Sequence, residues 1–227
     1  MMLPKTENAI PLSPSLPIYY LQHRDHMLRY IPRNVKKICE PGCAAGVFGS
    51  LVKQKYDCEY WGIEPHPEAA AAAEKVLDRV ICEPFDEHTD LEGNTFDCFV
   101  FNDVLEHMAD PWSVLKFCRV HLNPGGVIVS SIPNFLSFSN VKEILFTQDW
   151  KYESSGIRDK THLRFFTRKS MIRMFEETGY EVIQIEGLNP KKKYTFKILN
   201  ALLLNRLEDM RYLQYAVVAR VAAGPSA

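Results

Sequence analysis

Apolar residues recur along the chain in two alternating rhythms. Short, nearly continuous apolar runs of four to seven residues are each followed by a longer stretch with helical spacing. Runs at 35–40, 60–64, 79–82, 97–102 and 127–132 read as strands. The fourth, Asp97-Cys98-Phe99-Val100-Phe101-Asn102, is apolar at successive positions, as a strand covered on both faces requires. Helices are predicted at 47–55, at the alanine-rich 68–77 and at 112–121, with a turn at 123–126. Strands that alternate with helices imply a parallel sheet covered on both sides.

The alternation stops after Pro133. Residues 134–166 are rich in aromatic and charged side chains and read as an insertion, and a connection of that length carries function or has structure of its own. Thr167 is placed to cap a helix over 168–178, which Gly179 closes. A strand at 181–185, a basic amphipathic helix at 191–204 and a last strand at 212–221 complete the pattern. At the other end, 18–30 has helical spacing through Tyr20, Leu21 and Leu28, and Pro32 interrupts it. The expected fold is α/β: a Rossmann-like, doubly wound, mostly parallel seven-stranded sheet with helices on both faces. The domain spans 18–221, with an irregular proline-bearing arm at 1–17 and a tail at 222–227.

Bulk composition narrows the function classes. The 227 residues carry 46% apolar and 24% charged side chains, which suits one folded α/β domain and not a disordered chain. Twenty-seven basic residues against 28 acidic ones leave no cationic excess, so no nucleic-acid partner is expected. The longest purely apolar stretches, at 69–73 and 201–204, are too short to span a bilayer, and the N-terminal prolines break any signal-like core. A cytoplasmic protein is expected on these grounds. Six scattered cysteines form no CxxC pair, and all but Cys43 read as small buried hydrophobes.

The chemistry concentrates after the first strand. Residues 38–46 read Ile-Cys-Glu-Pro-Gly-Cys-Ala-Ala-Gly and lead into a helix. Small residues there let the backbone turn tightly and approach a ligand. The pattern is E-x-G-x-A-x-G and not the G-x-G-x-x-G of a dinucleotide fingerprint, which argues against a nicotinamide oxidoreductase. Glu64 ends the second strand, where an acid can accept hydrogen bonds from an unmodified ribose.

With these segments in order, the chain resembles the class I S-adenosylmethionine (SAM)-dependent methyltransferases. The resemblance rests on 40–46, on Glu64, on FDCFVFNDVLEHMADP at 96–111 and on LNPGG at 122–126, and it covers about 18–186. The segments SSIPN and GIRDKTHLRFFT (156–167) are similar to a subgroup acting in glycan and secondary-metabolite pathways. The resemblance implies SAM as cofactor and a small-molecule methyl acceptor. It implies that Glu40 approaches the cofactor's amino group and that Gly42, Cys43, Ala44 and Gly46 present backbone to its methionine portion. Glu64, with Pro65 beside it, would bind the ribose. Glu83 would receive the adenine amino group, Phe85 would lie against the ring, and Asn102 would floor the methionine part. Ala44 departs from the pattern, since this family often has glycine there.

Methyl transfer needs nucleophile, methyl carbon and sulfur in line, and a base where a hydroxyl must lose its proton. His107 and His162 are the candidate bases, because imidazole titrates near neutrality. A hydrogen bond that merely holds the turn is the competing role for His107, and a structural latch that of the His162 segment. Arg158 and Arg164 are candidate contacts to polar or anionic groups of the acceptor. His23, His26, His66, His88 and His121 show no partner spacing. Adjacent Glu106 and His107 do not converge on one ion unaided, so no metal is expected. Lys191, Lys192 and Lys193 read as a solvated helix entry. The favoured acceptor is a hydroxyl of a sugar or glycan precursor. Alternatives are a quinone, a lipid or another metabolite, or a non-catalytic domain that binds SAM or a nucleoside. Oligomeric state is not legible.

Overall fold

The computed structural model describes residues 17–190 and 194–223. The predicted arm at 1–16, Lys191 to Lys193 and the last four residues lie outside them. Seven strands, β1 (Lys37–Pro41), β2 (Glu59–Ile63), β3 (Arg79–Ile81), β4 (Phe96–Asn102), β5 (Leu122–Pro133), β6 (Tyr180–Leu188) and β7 (Gln214–Val221), make one sheet in the order β3-β2-β1-β4-β5-β7-β6. All neighbours are parallel except β7, which runs antiparallel to both β5 and β6. This is the expected Rossmann-like sheet. Strand order reverses between β1 and β4, and a ligand cleft opens beyond the carboxyl ends of strands at such a point.

Both faces are covered because the strands have apolar residues on both sides. Phe96, Phe99 and Phe101 of β4 face one cluster with Val114, Leu115 and Cys118 of α3 (Pro111–Val120) and Met171, Met174 and Phe175 of α5 (Arg168–Glu177). Cys98 and Val100 face the other, with Phe48 and Val52 of α1 (Val47–Lys55). Each fully buried Phe contributes about 1.5–3 kcal/mol. Asp110 caps α3 by accepting from the amides of Trp112 and Ser113, and Thr167 caps α5 together with Ser170 in a reciprocal pair.

Several elements differ from the pattern's reading, each for a local reason. Helix α2 (Pro67–Ala73) stops short of Leu77, because Lys75 and Val76 tighten onto Ala72 and Ala73 before the chain turns into β3. The NPGG segment is not a free turn but part of β5, accommodated by a register shift opposite Phe96 and Cys98. The stretch at 18–30 is two 3-10 turns, Ile18–Leu21 and Asp25–Tyr30, with Arg24 between them at φ 49°. It crosses the cleft: the Tyr20 carbonyl accepts the Ala45 amide at 3.4 Å, while Met27 and Tyr30 bury under the sheet. The insertion holds a helix, α4 (Phe138–Thr147), whose apolar Leu145 and Phe146 are exposed. Only Asn140 is fully buried; Phe138, Val141 and Ile144 form a short apolar stripe that is half-covered. A last helix, α6 (Tyr194–Leu202), begins after the lysine run. Among the described residues no helix is long and apolar enough to cross a membrane.

Candidate active site

The turn between β1 and α1 is pinned to the end of β2. The amide of Gly42 donates to the Ile63 carbonyl at 2.7 Å, and the amide of Ala44 donates to Oε2 of Glu64 at 2.9 Å. Oε1 of Glu64 accepts from the amide of His66 at 2.9 Å. Gly42 and Gly46 take φ of 69° and 75°. A Cβ on Gly42 would sit 2.7 Å from a methyl of Val104, and one on Gly46 would sit 2.8 Å from Val76. Ala44 also stands in the left-handed region, at φ 50°. The departure from glycine therefore leaves the turn's shape intact at a cost of about 1–2 kcal/mol of strain.

This turn walls a cavity of about 800 Å³, lined by Glu40, Gly42, Cys43, Ala44, Glu64, Pro65, Phe85 and Asn102 among others. Glu40 is 2% exposed. Its oxygens accept from Asn102 at 2.8 Å and from the Tyr60 hydroxyl at 2.9 Å. Burial pushes its carboxyl up to about 7. Burial also raises Glu64, against the pull of its two amide donors. Two residues assigned to this pocket stand apart from it. Gly46 is not on the lining and instead shapes the turn against Ala73 and Val76. Glu83 is exposed and off the lining; its neighbours Pro84 and Phe85 fill the wall, because the chain turns outward after the short β3.

A second cavity, of about 540 Å³, adjoins the first and is lined by Glu106, His107, Glu143, Arg158, Asp159 and His162, with other residues of the insertion. Gln22, Arg24, Asp103, His107, Ser155 and Asp159 line both. Asp103, at φ 54°, accepts from Ser131 at 2.8 Å and Gln214 at 2.9 Å and is ion-paired with Arg24. The sequence reading missed Arg24, Asp103 and Gln22. Asp103 carried one signal, its place directly after the fourth strand, but its partners come from β5, β7 and the N-terminal crossing.

The histidines meet. Their ring centroids are 4.6 Å apart. Nδ1 of His107 contacts the Thr161 carbonyl at 3.2 Å and hydroxyl at 3.1 Å, so it bears the proton and Nε2 keeps the lone pair. Nδ1 of His162 likewise donates to the Ile157 carbonyl at 3.2 Å. Burial lowers both imidazoles, which favours the neutral base. Glu106 is 1% exposed, and burial pushes it up to about 8. Its backbone carbonyl clasps the amides of Leu163 and Arg164 at 2.8 and 2.9 Å, so His107 and the 162–166 segment are tied together. The latch is therefore real alongside the cavity position: Phe166 is buried in the core, but Phe165 is exposed.

The two arginines are not free anion receptors. Arg158 lines the second cavity with its guanidinium held by Glu143 at 2.5 Å and Glu153 at 2.7 Å. Arg164 lies off both linings and donates to the carbonyls of Leu163 and Ala109. Glu106, His107 and His162 each offer a ligand atom, all within 4.8 Å of one another, and are the residues placed to hold a metal. The expectation of no metal lacked the third member, which the fold brings from 55 positions along the chain.

A methyltransferase-domain family matches residues 19–185. The chain belongs to that family. It is a methyltransferase with the Rossmann-like fold of SAM-dependent enzymes. It is 27% identical over 177 residues to a ubiquinone biosynthesis O-methyltransferase of Aliivibrio fischeri, covering 71% of this chain and 73% of that one. The human mitochondrial ubiquinone biosynthesis O-methyltransferase is 26% identical, covering 89% of this chain and 58% of its own. Among solved structures, a SAM-dependent methyltransferase from Archaeoglobus fulgidus superposes with a TM-score of 0.61 at 19% identity, over 86% of this chain and 90% of that one. One from Thermotoga maritima, described as a possible histamine N-methyltransferase, reaches 0.60 at 17% identity, over 89% and 88%.

The strain at Ala44 is testable. Ala44→Gly should raise the free energy of unfolding by about 1 kcal/mol, read from urea denaturation. A loss of stability would show that Ala44 is not held in the left-handed conformation.

Proposed function

We propose that this methyltransferase moves the methyl group of SAM to a hydroxyl of a polar, sugar-like small molecule. One observation supports the reading: the turn-walled cavity and the insertion-walled cavity share six lining residues, so a methyl carbon held in one would face an oxygen held in the other. Holding the pair at about 3–3.5 Å in line supplies much of the rate. In this reading Glu40 takes the cofactor's amino group, with Gly42, Cys43 and Ala44 along its methionine portion and Asn102 as the floor. Glu64 accepts from the ribose hydroxyls beside Pro65, and Phe85 lies on the adenine. Glu83 has no part in it. His107 and His162 activate the acceptor hydroxyl.

The acceptor cavity favours a polar guest. Asp103, Glu106, Glu143, Glu153 and Asp159 outnumber Arg24 and Arg158, while Pro133, Ile157 and Leu213 are its few apolar residues. Since both arginines are ion-paired with carboxylates, a neutral polyol suits it better than a phosphate. The names of the relatives favour a second reading, a phenol on the way to a quinone. Turnover of nucleotide-sugars compared with isoprenoid phenols separates the two: methylation of the phenols alone would overturn the sugar reading.

Two contrasts test the assigned roles. Glu64→Ala should cut affinity for the demethylated cofactor by about 1.5–3 kcal/mol, the worth of a hydrogen bond to a charged group or more. His162→Ala should cut turnover and leave that affinity within about threefold. Equal losses in both variants would remove the division between cofactor and acceptor sides.

Glu40 makes a pH prediction. Its carboxyl sits near 7 in the free protein, raised by burial above its unfolded range. A cationic amino group favours the ionised form, so binding must expel a proton wherever Glu40 is still protonated. Affinity for SAM should therefore rise as pH climbs to about 7 and flatten above it. Calorimetry across that range should find the slope in the native chain and not in Glu40→Gln. A flat native profile would separate Glu40 from the amino group.

A further inference from the structure

We propose that the segment between β6 and β7, led by α6 (Tyr194–Leu202), docks on an anionic lipid surface, with Leu202, Leu203 and Leu204 entering the headgroup layer.

The first observation is apolar surface that the fold does not use. Phe196 and Asn200, one helical turn apart, are buried, and Phe196 packs on Phe138 of α4 with ring centroids 5.0 Å apart. That face of α6 is covered. The opposite face is also apolar: Ile198 is 50% exposed and Leu202, one turn on, 75%. Leu203 and Leu204 extend it at 43% and 80%. Single exposed leucines are common, but four large aliphatic side chains within seven positions make a patch, and such patches mark interfaces. A helix with apolar residues on both faces calls for a cover on both.

The second observation is how firmly the leucines are presented. Past α6 the chain turns sharply, with Leu204 at φ 53° and Asn205 at φ 60°. Leucine is unfavourable in the left-handed region, whereas asparagine is tolerated there. Asn200 holds the turn from beneath. Its carbonyl accepts the amides of Leu203 at 3.2 Å and Asn205 at 2.8 Å, its Oδ1 accepts the Leu207 amide at 2.9 Å, and its Nδ2 donates to Glu208 at 2.8 Å. The fold thus holds a strained leucine out in solvent, although burial within the chain does not offset the strain.

The third observation is charge. Residues 187–207 carry Lys191, Lys192, Lys193, Lys197 and Arg206 and no acid. The acids that follow are engaged: Glu208 accepts from Asn200 and pairs with Arg211, while Asp209 faces Arg168 and accepts from the Tyr215 hydroxyl. Leucines flanked by cations match the boundary between acyl chains and anionic headgroups, where apolar insertion and Coulomb attraction act together. A second copy of this chain fits worse, because pairing the two faces would bring the same cations together.

The position gives docking a consequence. Asn189 at one end of the segment and Leu213 at the other line the second cavity. Docking therefore sets the rim of that cavity against the lipid surface. The cavity's acceptor role rests on the function proposed above, but the lipid contact does not.

The full chain should be sedimented with vesicles of phosphatidylcholine alone and of phosphatidylcholine mixed with phosphatidylglycerol, at low and at high salt. Binding to the mixed vesicles is expected at low salt, about tenfold weaker to the neutral ones and lost at high salt. The double variant Leu202→Asn/Leu204→Asn should bind the mixed vesicles at least about tenfold more weakly. Its melting temperature should hold, because asparagine suits the left-handed position. The triple variant Lys191→Gln/Lys192→Gln/Lys193→Gln should lose about tenfold as well. No uptake by the mixed vesicles, or uptake unchanged in the leucine variant, overturns the proposal. So does light scattering that finds a native dimer, split by the leucine variant, without vesicle uptake, which would assign the face to a second copy.

Discussion

The cleft depends on how the first turn is tied to the neighbouring strand. The amides of Gly42 and Cys43 both point at the Ile63 carbonyl, and that of Ala44 points at Glu64. These bonds draw the turn sideways, onto β2, and away from the space beyond β1 and β4. Positive φ at positions 42, 44 and 46 is what lets successive amides face the same strand end. Had the turn continued straight into α1, its backbone would have filled the crevice at the strand reversal. Glu64 thus has a structural part before any ligand arrives: both its oxygens already accept amides, and each retains a second lone pair for a hydroxyl.

The acceptor side is built on the same economy of backbone groups. The Glu106 carbonyl accepts two amides of the insertion, and Phe135 donates to the Phe166 carbonyl at 2.8 Å. The two ends of the insertion are therefore stitched to the sheet, and what lies between them can only wall the cavity. Arg158 strengthens that wall by joining α4 to the loop that carries Glu153. Its charge is used in holding the pocket together, which is why the pocket is acidic even though an arginine lines it.

Local chemistry was legible in the sequence and distant pairing was not. The E-x-G-x-A-x-G turn, the strand-end acid Glu64 and the aromatic β4 each announce themselves within a few residues, and they position the first cavity. Glu83 misled because an acid after β3 reads the same whether the chain faces the cleft or bends out of it. Arg158 and Arg164 were read as anion contacts because a guanidinium's partners, here Glu143, Glu153 and two backbone carbonyls, cannot be seen in order along the chain. Helix α4 was hidden because its apolar side is short and only half-covered: Phe138, Val141 and Ile144 are partly buried while Leu145 and Phe146 stay in solvent. His107 and His162 were singled out separately, but that their rings touch, with Glu106 beneath them, is a property of the fold alone.

The distribution of buried acids explains how one cleft can serve two ligands of different charge. Glu40 lies under the first cavity and Glu106 under the second, both almost fully buried and both raised by desolvation. Arg24, ion-paired with Asp103, offsets part of that rise in both, but burial dominates: Glu40 has the neutral donors Asn102 and Tyr60, and Glu106 faces a histidine whose own charge is disfavoured. A protein that leaves two carboxyls so poorly compensated lowers the cost of bringing positive charge to each. In the proposed reading, SAM brings an amino cation and a sulfonium to the first. Loss of the sulfonium charge on methyl transfer then removes part of the attraction that held the cofactor, so the same buried acids that favour loading also favour departure of the neutralised product.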